Sequence, residues 1–302
     1  MTTPVAIVFF NRLAPLKRLV ARLAEVRPPK VYLISDGPRA TRPDDVAKVA
    51  ECRAFLSNLP WPCEVRTNFS EANLGCRMRP MSGFDWMFEN EEEAILLEDD
   101  CIPEPAFFPW VERMLARYRD DPRVLSVGGT NLRPQLCRQD VDCTFVKHPM
   151  IWGWATWRRA WRLNDRDLAG LPQACRAHLF KQWLGSWRAG GYWRYLLTHV
   201  TATVWDYGWS FTHFAHRGLC VLPPVNLVEN IGLSGVEATH TSNTAYDLPA
   251  VTRDWTIPAV APDAVAPNAR LDKWIEDNFY SRSFIGRLKW LARKIKGRIQ
   301  HG

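Results

Sequence analysis

The sequence predicts an α/β protein: a Rossmann-like mixed, mostly parallel sheet flanked by helices, with an amphipathic helix at the C-terminal end. Three observations predict it. Short continuous apolar runs alternate with helical patterns through residues 1–130. The runs do not alternate apolar with polar, as strands covered by helices on both faces should not. Polar residues follow three of these runs, after Phe10, Ile34 and Leu97. All three polar ends then share one carboxyl edge of a parallel sheet, the edge where open α/β sheets bind ligands.

Residues 5–10 form the first predicted strand, ending in Asn11-Arg12. Leu16, Leu19, Val20 and Leu23 then fall on one helical face. The second strand, 31–34, ends in the turn Ser35-Asp36-Gly37-Pro38. Residues 44–56 read as a helix and 63–67 as a third strand. A helix over 77–89 carries Met81, Phe84, Trp86 and Phe88. The fourth strand, 95–97, runs directly into Glu98-Asp99-Asp100. Pro103 and Pro105 open a helix over 107–118, and 124–128 is the fifth strand.

The fourth strand is the informative one. Ile95, Leu96 and Leu97 suit a core, but three carboxylates cannot follow them inside, because an unpaired buried charge is prohibitively costly. They must sit where the strand ends and a crevice opens. Clustered carboxylate oxygens there suit a hard cation, Mg²⁺ or Mn²⁺.

The second half reads differently. Residues 149–161 hold Trp152, Trp154, Trp157 and Trp161, four of the fifteen tryptophans in the chain. Such a cluster suits a wall for stacking a sugar, with at least one ring expected in the core. Residues 176–204 look mostly helical and lead into Trp205-Asp206-Tyr207-Gly208-Trp209. Residues 221–228, with a Pro pair, resemble an edge strand or an extended loop. Residues 241–280 read as a surface wrap or linker and 281–302 as a helix of their own. In that helix Phe284, Leu288, Leu291, Ile295 and Ile299 make one narrow apolar stripe among lysines and arginines. A basic amphipathic helix fits an anionic membrane surface, with residues 284–299 as the contact.

Formal net charge is +7, yet no nucleic-acid recognition module accompanies it, so no nucleic-acid partner is expected. The cysteines at 52, 63, 76, 101, 137, 143, 175 and 220 show no C-x-x-C spacing. They read as reduced thiols of a cytoplasmic protein, peripheral at the inner membrane face. The N-terminus lacks a basic leader and a small-residue cleavage site, and no run of about 18 apolar residues spans a bilayer.

Four segments together carry a family resemblance: 4–12 (PVAIVFFNR), 33–37 (LISDG), 73–75 (NLG) and 95–103 (ILLEDDCIP), the last followed by Phe107-Phe108. In this order they resemble GT-A glycosyltransferases that use nucleotide-sugar donors. The likeness is to bacterial family-2-like sugar transferases and to the N-acetylglucosaminyltransferase I group with its Glu-Asp-Asp motif. It runs through residues 4–240. It implies a glycosyltransferase domain over 1–240, with a nucleotide-sugar half (1–130) and an acceptor half (131–240).

The resemblance also implies roles. Asn11, Arg12 and Asp36 would hold the base and ribose of a UDP-type donor. Glu98 and Asp99 would contact ribose and donor sugar. Asp100 would bind Mn²⁺ or Mg²⁺, and Asp206 would be the base that takes the acceptor's proton. Trp205, Tyr207 and Trp209 beside Asp206 suit that role, since apolar neighbours raise a carboxylate's pKa. His240 is a candidate second metal ligand, and Arg77, with Arg79 beside it, a diphosphate contact at a helix start. The implied reaction is inverting, metal-dependent transfer of a sugar to a glycan or lipid-linked acceptor in bacterial surface polysaccharide synthesis. The alternatives are a nucleotidyltransferase and a non-catalytic nucleotide-sugar or glycan-binding module. A nucleotidyltransferase would ordinarily carry a glycine-rich basic loop after its first strand, where this chain has Phe10-Asn11-Arg12.

Overall fold

In a computed structural model, residues 1–199, 204–233 and 248–280 are described. The first half alternates as the pattern requires: β1 (Val5–Phe9), α1 (Leu13–Val26), β2 (Lys30–Ser35), α2 (Asp44–Leu56), β3 (Glu64–Phe69), α3 (Gly75–Asn90) and β4 (Glu93–Glu98). A short β5 (Cys101–Pro103) precedes α4 (Phe107–Tyr118) and β6 (Val124–Gly128). The second half adds β7 (Thr144–Val146), β8 (Trp154–Trp157), α5 (Arg158–Trp161), α6 (Leu171–Arg176), α7 (Leu179–Leu184), α8 (Trp187–His199) and α9 (Asp206–Ala215). It closes with β9 (Leu219–Leu222), β10 (Val228–Asn230) and α10 (Ala269–Trp274).

Eight strands form one sheet in the order β3-β2-β1-β4-β8-β6-β9-β7. Strands β3, β2, β1 and β4 are mutually parallel, and β6 pairs parallel with β9. Strand β8 is antiparallel to both β4 and β6, and β7 is antiparallel to β9. The expected fold class is therefore present: a mixed, mostly parallel, Rossmann-like sheet with helices against it.

The central strands are buried along their length. Val5, Ala6, Ile7, Val31, Leu33, Ile34, Ile95 and Leu96 are each 0 % exposed. At about 25 cal/mol per Å² of apolar area removed from water, this layer dominates the folding energy. Strand β3 lies at the sheet's edge and carries Glu64 and Arg66, charges that discourage further strand pairing. Helix α1 buries Leu16, Leu19, Val20 and Leu23, the stripe its spacing predicts. Helix α3 lies so close on β2 that a Cβ at Gly83 would collide with the Ile34 side chain.

Two sequence expectations are corrected here. The first concerns the tryptophans. Trp154 and Trp157 are 1 % and 2 % exposed, in the core and not on a sugar-facing wall. Trp154 stacks on Trp205 with ring centroids 5.6 Å apart, and Phe84, Trp161 and Trp209 complete the cluster. Two of these indoles find partners: Trp157 Nε1 donates to the Leu115 carbonyl at 3.2 Å and Trp161 Nε1 to Asp85 at 2.9 Å. The cluster bonds the first-half helix α3 to β8 and α9, so these rings hold the two halves together.

The second concerns residues 221–228. Leu219–Leu222 is no edge strand but lies inside the sheet, between β6 and β7. Pro223-Pro224 ends it, since proline cannot donate to a ladder. Beyond it, β10 pairs antiparallel with β5, so Asn230 lies opposite Cys101, directly after the acidic turn.

Residues 248–268 contain no helix or strand. They attach to the surface through Thr252 N donating to the Asn226 carbonyl at 2.7 Å and Asp142 N donating to the Val260 carbonyl at 2.8 Å. Helix α10 follows, capped by Asn268, whose side chain accepts from Leu271 N at 3.1 Å. A π-helical turn, Ile275–Tyr280, continues from it. Among the described residues no helix is long and apolar enough to cross a membrane. The basic stripe at 284–299 lies outside the described residues.

Trp154→Ala should lower stability by about 3–5 kcal/mol, the usual cost of deleting a fully buried indole. Trp152→Ala, at a half-buried ring, should cost clearly less. Urea denaturation midpoints of the two variants check the difference.

Candidate active site

The acidic run sits where its sequence demands. Val8 of β1 lies opposite Glu98 of β4, and Phe9 lies opposite Ser35 of β2. The ends of these three central strands therefore bring Asn11-Arg12, Asp36 and Glu98-Asp99-Asp100 to one edge. Asp99 N donates to the Val8 carbonyl at 3.1 Å, which holds the acidic turn beside the end of β1.

Arg12 is the cation bonded to this run. Its guanidinium bonds Asp99 and reaches Asp100 Oδ2 at 2.9 Å. Asp99 is 3 % exposed. Burial pushes its carboxyl up to about 6, against the pull of Arg12. Glu98 is half-buried and receives no hydrogen bond or ion pair among the described residues. Its carboxyl is pushed up to about 8, by desolvation first and then by the charges of Asp100, Asp99 and Asp206.

Asp206 completes the group. It is the first residue of α9, half-buried, and desolvation raises its carboxyl to about 6. Trp205 before it and Trp209 after it are core rings, so the aromatic cluster positions Asp206. Four carboxylates thus gather here, two of them, Asp99 and Asp100, bonded to the Arg12 guanidinium. The backbone of residues 230–232 covers Asp100: Ile231 N donates to its carbonyl at 2.9 Å, and a Cβ at Gly232 would collide with its carboxylate.

The other sequence candidates point elsewhere. Asp36 is 6 % exposed, and its carboxylate accepts from Gly37 N (2.9 Å), Leu74 N (2.8 Å), Gly75 N (2.8 Å) and Asn73 Nδ2 (3.0 Å). It clips the end of β2 to the start of α3, which explains why the Ser-Asp-Gly and Asn-Leu-Gly segments occur together. Asn11 donates to Asp45 Oδ1 at 2.7 Å, and Arg39 bonds the same carboxylate at 2.5 Å. Arg39's hydrogen bond, foremost, holds Asp45 down at about 2. Arg77 donates to the Arg166 carbonyl at 2.9 Å. Buried Arg79 donates to the Asn68 carbonyl at 2.6 Å. Neither arginine bonds the acidic group. His240 lies outside the described residues.

Cys76 was not legible as a site residue. In the first turn of α3, its thiol is raised by burial first, and then by the charges of Glu98, Asp206 and Asp36. Tyr280 is a second such residue: burial raises its phenol, and Asp206 is the leading charge that acts on it. No local sequence signal marks either, because both reach the site through tertiary packing.

Among the described residues, no three His, Cys, Asp or Glu side chains converge closely enough to hold a metal by themselves. The donor set still fits a divalent cation. Mg²⁺ commonly takes one or two protein carboxylates and completes its shell with substrate phosphates and water. Hard oxygen donors with an excess of negative charge meet that requirement.

No protein-family model matches this chain. No curated protein matches it either. Among solved structures, it is similar to the inositol-1-phosphate CTP transferase from T. maritima, with 10% identity, a TM-score of 0.35, and coverage of 74% of this chain and 85% of that one. It is similar to 4-diphosphocytidyl-2C-methyl-D-erythritol synthase from Anaerococcus prevotii DSM 20548, with 10% identity, a TM-score of 0.35, and coverage of 56% and 76%. A UDP-glucose pyrophosphorylase complexed with UDP-glucose matches with 8% identity, a TM-score of 0.34, and coverage of 74% and 90%. None of these three is named as a glycosyltransferase, so the expectation of glycosyl transfer is corrected: neither it nor the likeness to the N-acetylglucosaminyltransferase I group finds support among them.

The raised carboxyls set a pH dependence. In the unfolded chain Glu98 loses its proton near 4.5, the ordinary value for its carboxyl, whereas burial and its acidic neighbours in the folded protein hold it to about 8. The folded state binds more protons in this window, so its contribution to stability is full below about pH 4.5 and is lost as pH rises through about 8. The protein without divalent cations should therefore have a lower urea midpoint at pH 8.5 than at pH 5.5, and Glu98→Gln should flatten that slope. Equal slopes in the two proteins would show that Glu98 does not carry it.

Proposed function

We propose that this chain is a metal-dependent nucleotidyltransferase acting on a nucleoside triphosphate and a small phosphorylated acceptor such as a sugar phosphate. The observation that carries the reading is the charge imbalance at the end of β4: Glu98, Asp99, Asp100 and Asp206 against the one bonded cation, Arg12. Such an edge does not attract a polyphosphate by itself. It attracts a divalent cation, and with it the polyphosphate.

Asp100 and Glu98 would hold the cation, leaving its remaining positions to phosphate oxygens and water. When bound, the cation neutralises the triphosphate and makes the α-phosphorus more electrophilic. Arg12 lies at the same edge and is placed to meet phosphate charge, the task that a glycine-rich loop performs elsewhere. The acceptor's phosphate oxygen attacks the α-phosphorus, the bond to the β-phosphate bridging oxygen breaks, and pyrophosphate leaves. An acceptor phosphate is already ionised near neutral pH, so no general base is needed. Asp206 then orients the acceptor instead of deprotonating it, which revises the role its aromatic neighbours first indicated. Residues 1–130 supply the nucleotide half, and the segment containing Asp206 supplies the acceptor half.

The basic stripe at 284–299 is proposed to rest on an anionic membrane surface. The described part of the chain supports it: residues 168–205 contain no Asp or Glu, and Trp187 in that stretch is 64 % exposed. Tryptophan so placed favours the membrane–water interface.

Pyrophosphate release from a nucleoside triphosphate should require both a sugar 1-phosphate and Mg²⁺ or Mn²⁺. Asp100→Asn and Glu98→Gln should each lower kcat/KM by about 10²–10³, the usual effect of removing one strong electrostatic contribution at a reacting centre. Release of UDP from a UDP-sugar, with no pyrophosphate formed, would overturn the proposal. Sedimentation with phosphatidylglycerol vesicles, but not with phosphatidylcholine vesicles, is the expected result for the membrane contact.

A further inference from the structure

Buried polar side-chain atoms in folded proteins almost always find partners, so a local concentration of unpartnered ones calls for a reason. Among the described residues, four such atoms belong to one neighbourhood: His148 Nδ1, Trp183 Nε1, Asp272 Oδ2 and Glu276 Oε2. These residues are neighbours. His148 Nε2 lies 2.6 Å from Glu276 Oε1. Asp272 Oδ1 accepts from Lys147 N at 2.9 Å, and Lys147 Nζ donates to the Trp183 carbonyl at 2.7 Å. Asp272 and Glu276 are only 6 % and 8 % exposed.

The same place opens a cavity of about 220 Å³, lined by Asp272, Glu276, Asp277, Lys147, Lys273 and Arg188 together with the turn between α7 and α8. At about 30 Å³ per water this is room for roughly seven waters. Ligand pockets for larger molecules begin near about 300 Å³, so the cavity suits a compact ligand and excludes a nucleotide. Glu276 and Tyr280 both belong to the π-helical turn, a distortion often found at functional sites.

We infer that this cavity binds a small hydroxylated anion, a sugar phosphate in chemical class. Each half of that description answers an observation. Asp272 and Glu276 each have an oxygen without a donor, and hydroxyl groups are donors that bring no competing charge. Lys147, Arg188 and Lys273, the last bonded to Asp277 at 2.7 Å, line the same cavity and favour an anionic group. The cavity is separate from the Glu98-Asp99-Asp100 edge. Tyr280 connects them, since its ring is 5.0 Å from that of His148 and its phenol feels both Asp206 and Glu276.

Calorimetric titration of the full chain, without nucleotide or divalent metal, tests this with glucose 6-phosphate, inorganic phosphate and glucose. Glucose 6-phosphate should bind at least ten-fold more tightly than either of the other two. Asp272→Asn combined with Glu276→Gln should weaken it at least ten-fold while leaving phosphate binding in place. Lys273→Gln, an exposed change that does not threaten folding, should weaken both anions several-fold. Asp100→Asn should change neither, whether or not the nucleotidyltransferase proposal holds. Glucose 6-phosphate binding that is lost in Asp100→Asn but kept in the cavity variants would overturn the inference. So would equal affinity for inorganic phosphate, or no binding at all.

Discussion

Four carboxylates gathered in one place, two of them bonded to one guanidinium, are the constraint around which the molecule is arranged. Like charges repel at short range, and burial denies them water, so their cost is met either by retaining protons or by gathering cations. Arg12 meets part of it by bonding Asp99 and Asp100 together. Glu98 and Asp206 meet the rest by holding protons well above the ordinary carboxylate range. A fold tolerates such a cluster only where other packing is strong. Here it rests on β1, β2 and β4, whose inner residues are fully buried. The same tension gives the site its affinity for a divalent cation: binding one would release strain already present.

The rest of the carboxyl edge is built to hold that cluster still. Asp36 spends its acceptor capacity on four donors, three of them from the start of α3. Asn11 and Arg39 together anchor Asp45 at the start of α2. Each polar strand end thus has a different task. The first supplies a cation, the second a clip and the third the acids. Their sequences look alike because all three need short polar residues at a sharp turn beside a parallel strand. On the other side, Trp205 and Trp209 lock Asp206 into the seam between the two halves. The aromatic residues therefore serve the site from beneath, as a rigid floor, and not as its walls.

Glycosyl and nucleotidyl transfer place similar demands on such an edge. Both reactions need a divalent cation and a diphosphate-binding edge, so the acidic run is equally suited to either. They differ in the nucleophile. A hydroxyl needs a base, whereas a phosphate does not, and the difference lies in the acceptor pocket. Asp206 and Tyr280, whose charges act on each other, are 74 residues apart in sequence.

The sequence by itself determined the alternation of strands and helices and the placement of Glu98-Asp99-Asp100 at the carboxyl edge of the sheet. Those features follow from local rules: buried strands read as apolar runs, and charges must leave the core where the run ends. Only the tertiary structure decided which polar residues face the crevice and which brace it. Asp36 and Arg12 are both strand-end residues with charged side chains, yet one clips α3 and the other bonds the acids. That choice depends on which donors and acceptors the neighbouring elements bring within about 3 Å, a distance no sequence spacing encodes. The Asp272–Glu276 cavity was invisible for the same reason. His148 and Glu276 lie 128 residues apart, and their meeting is a property of the folded chain alone.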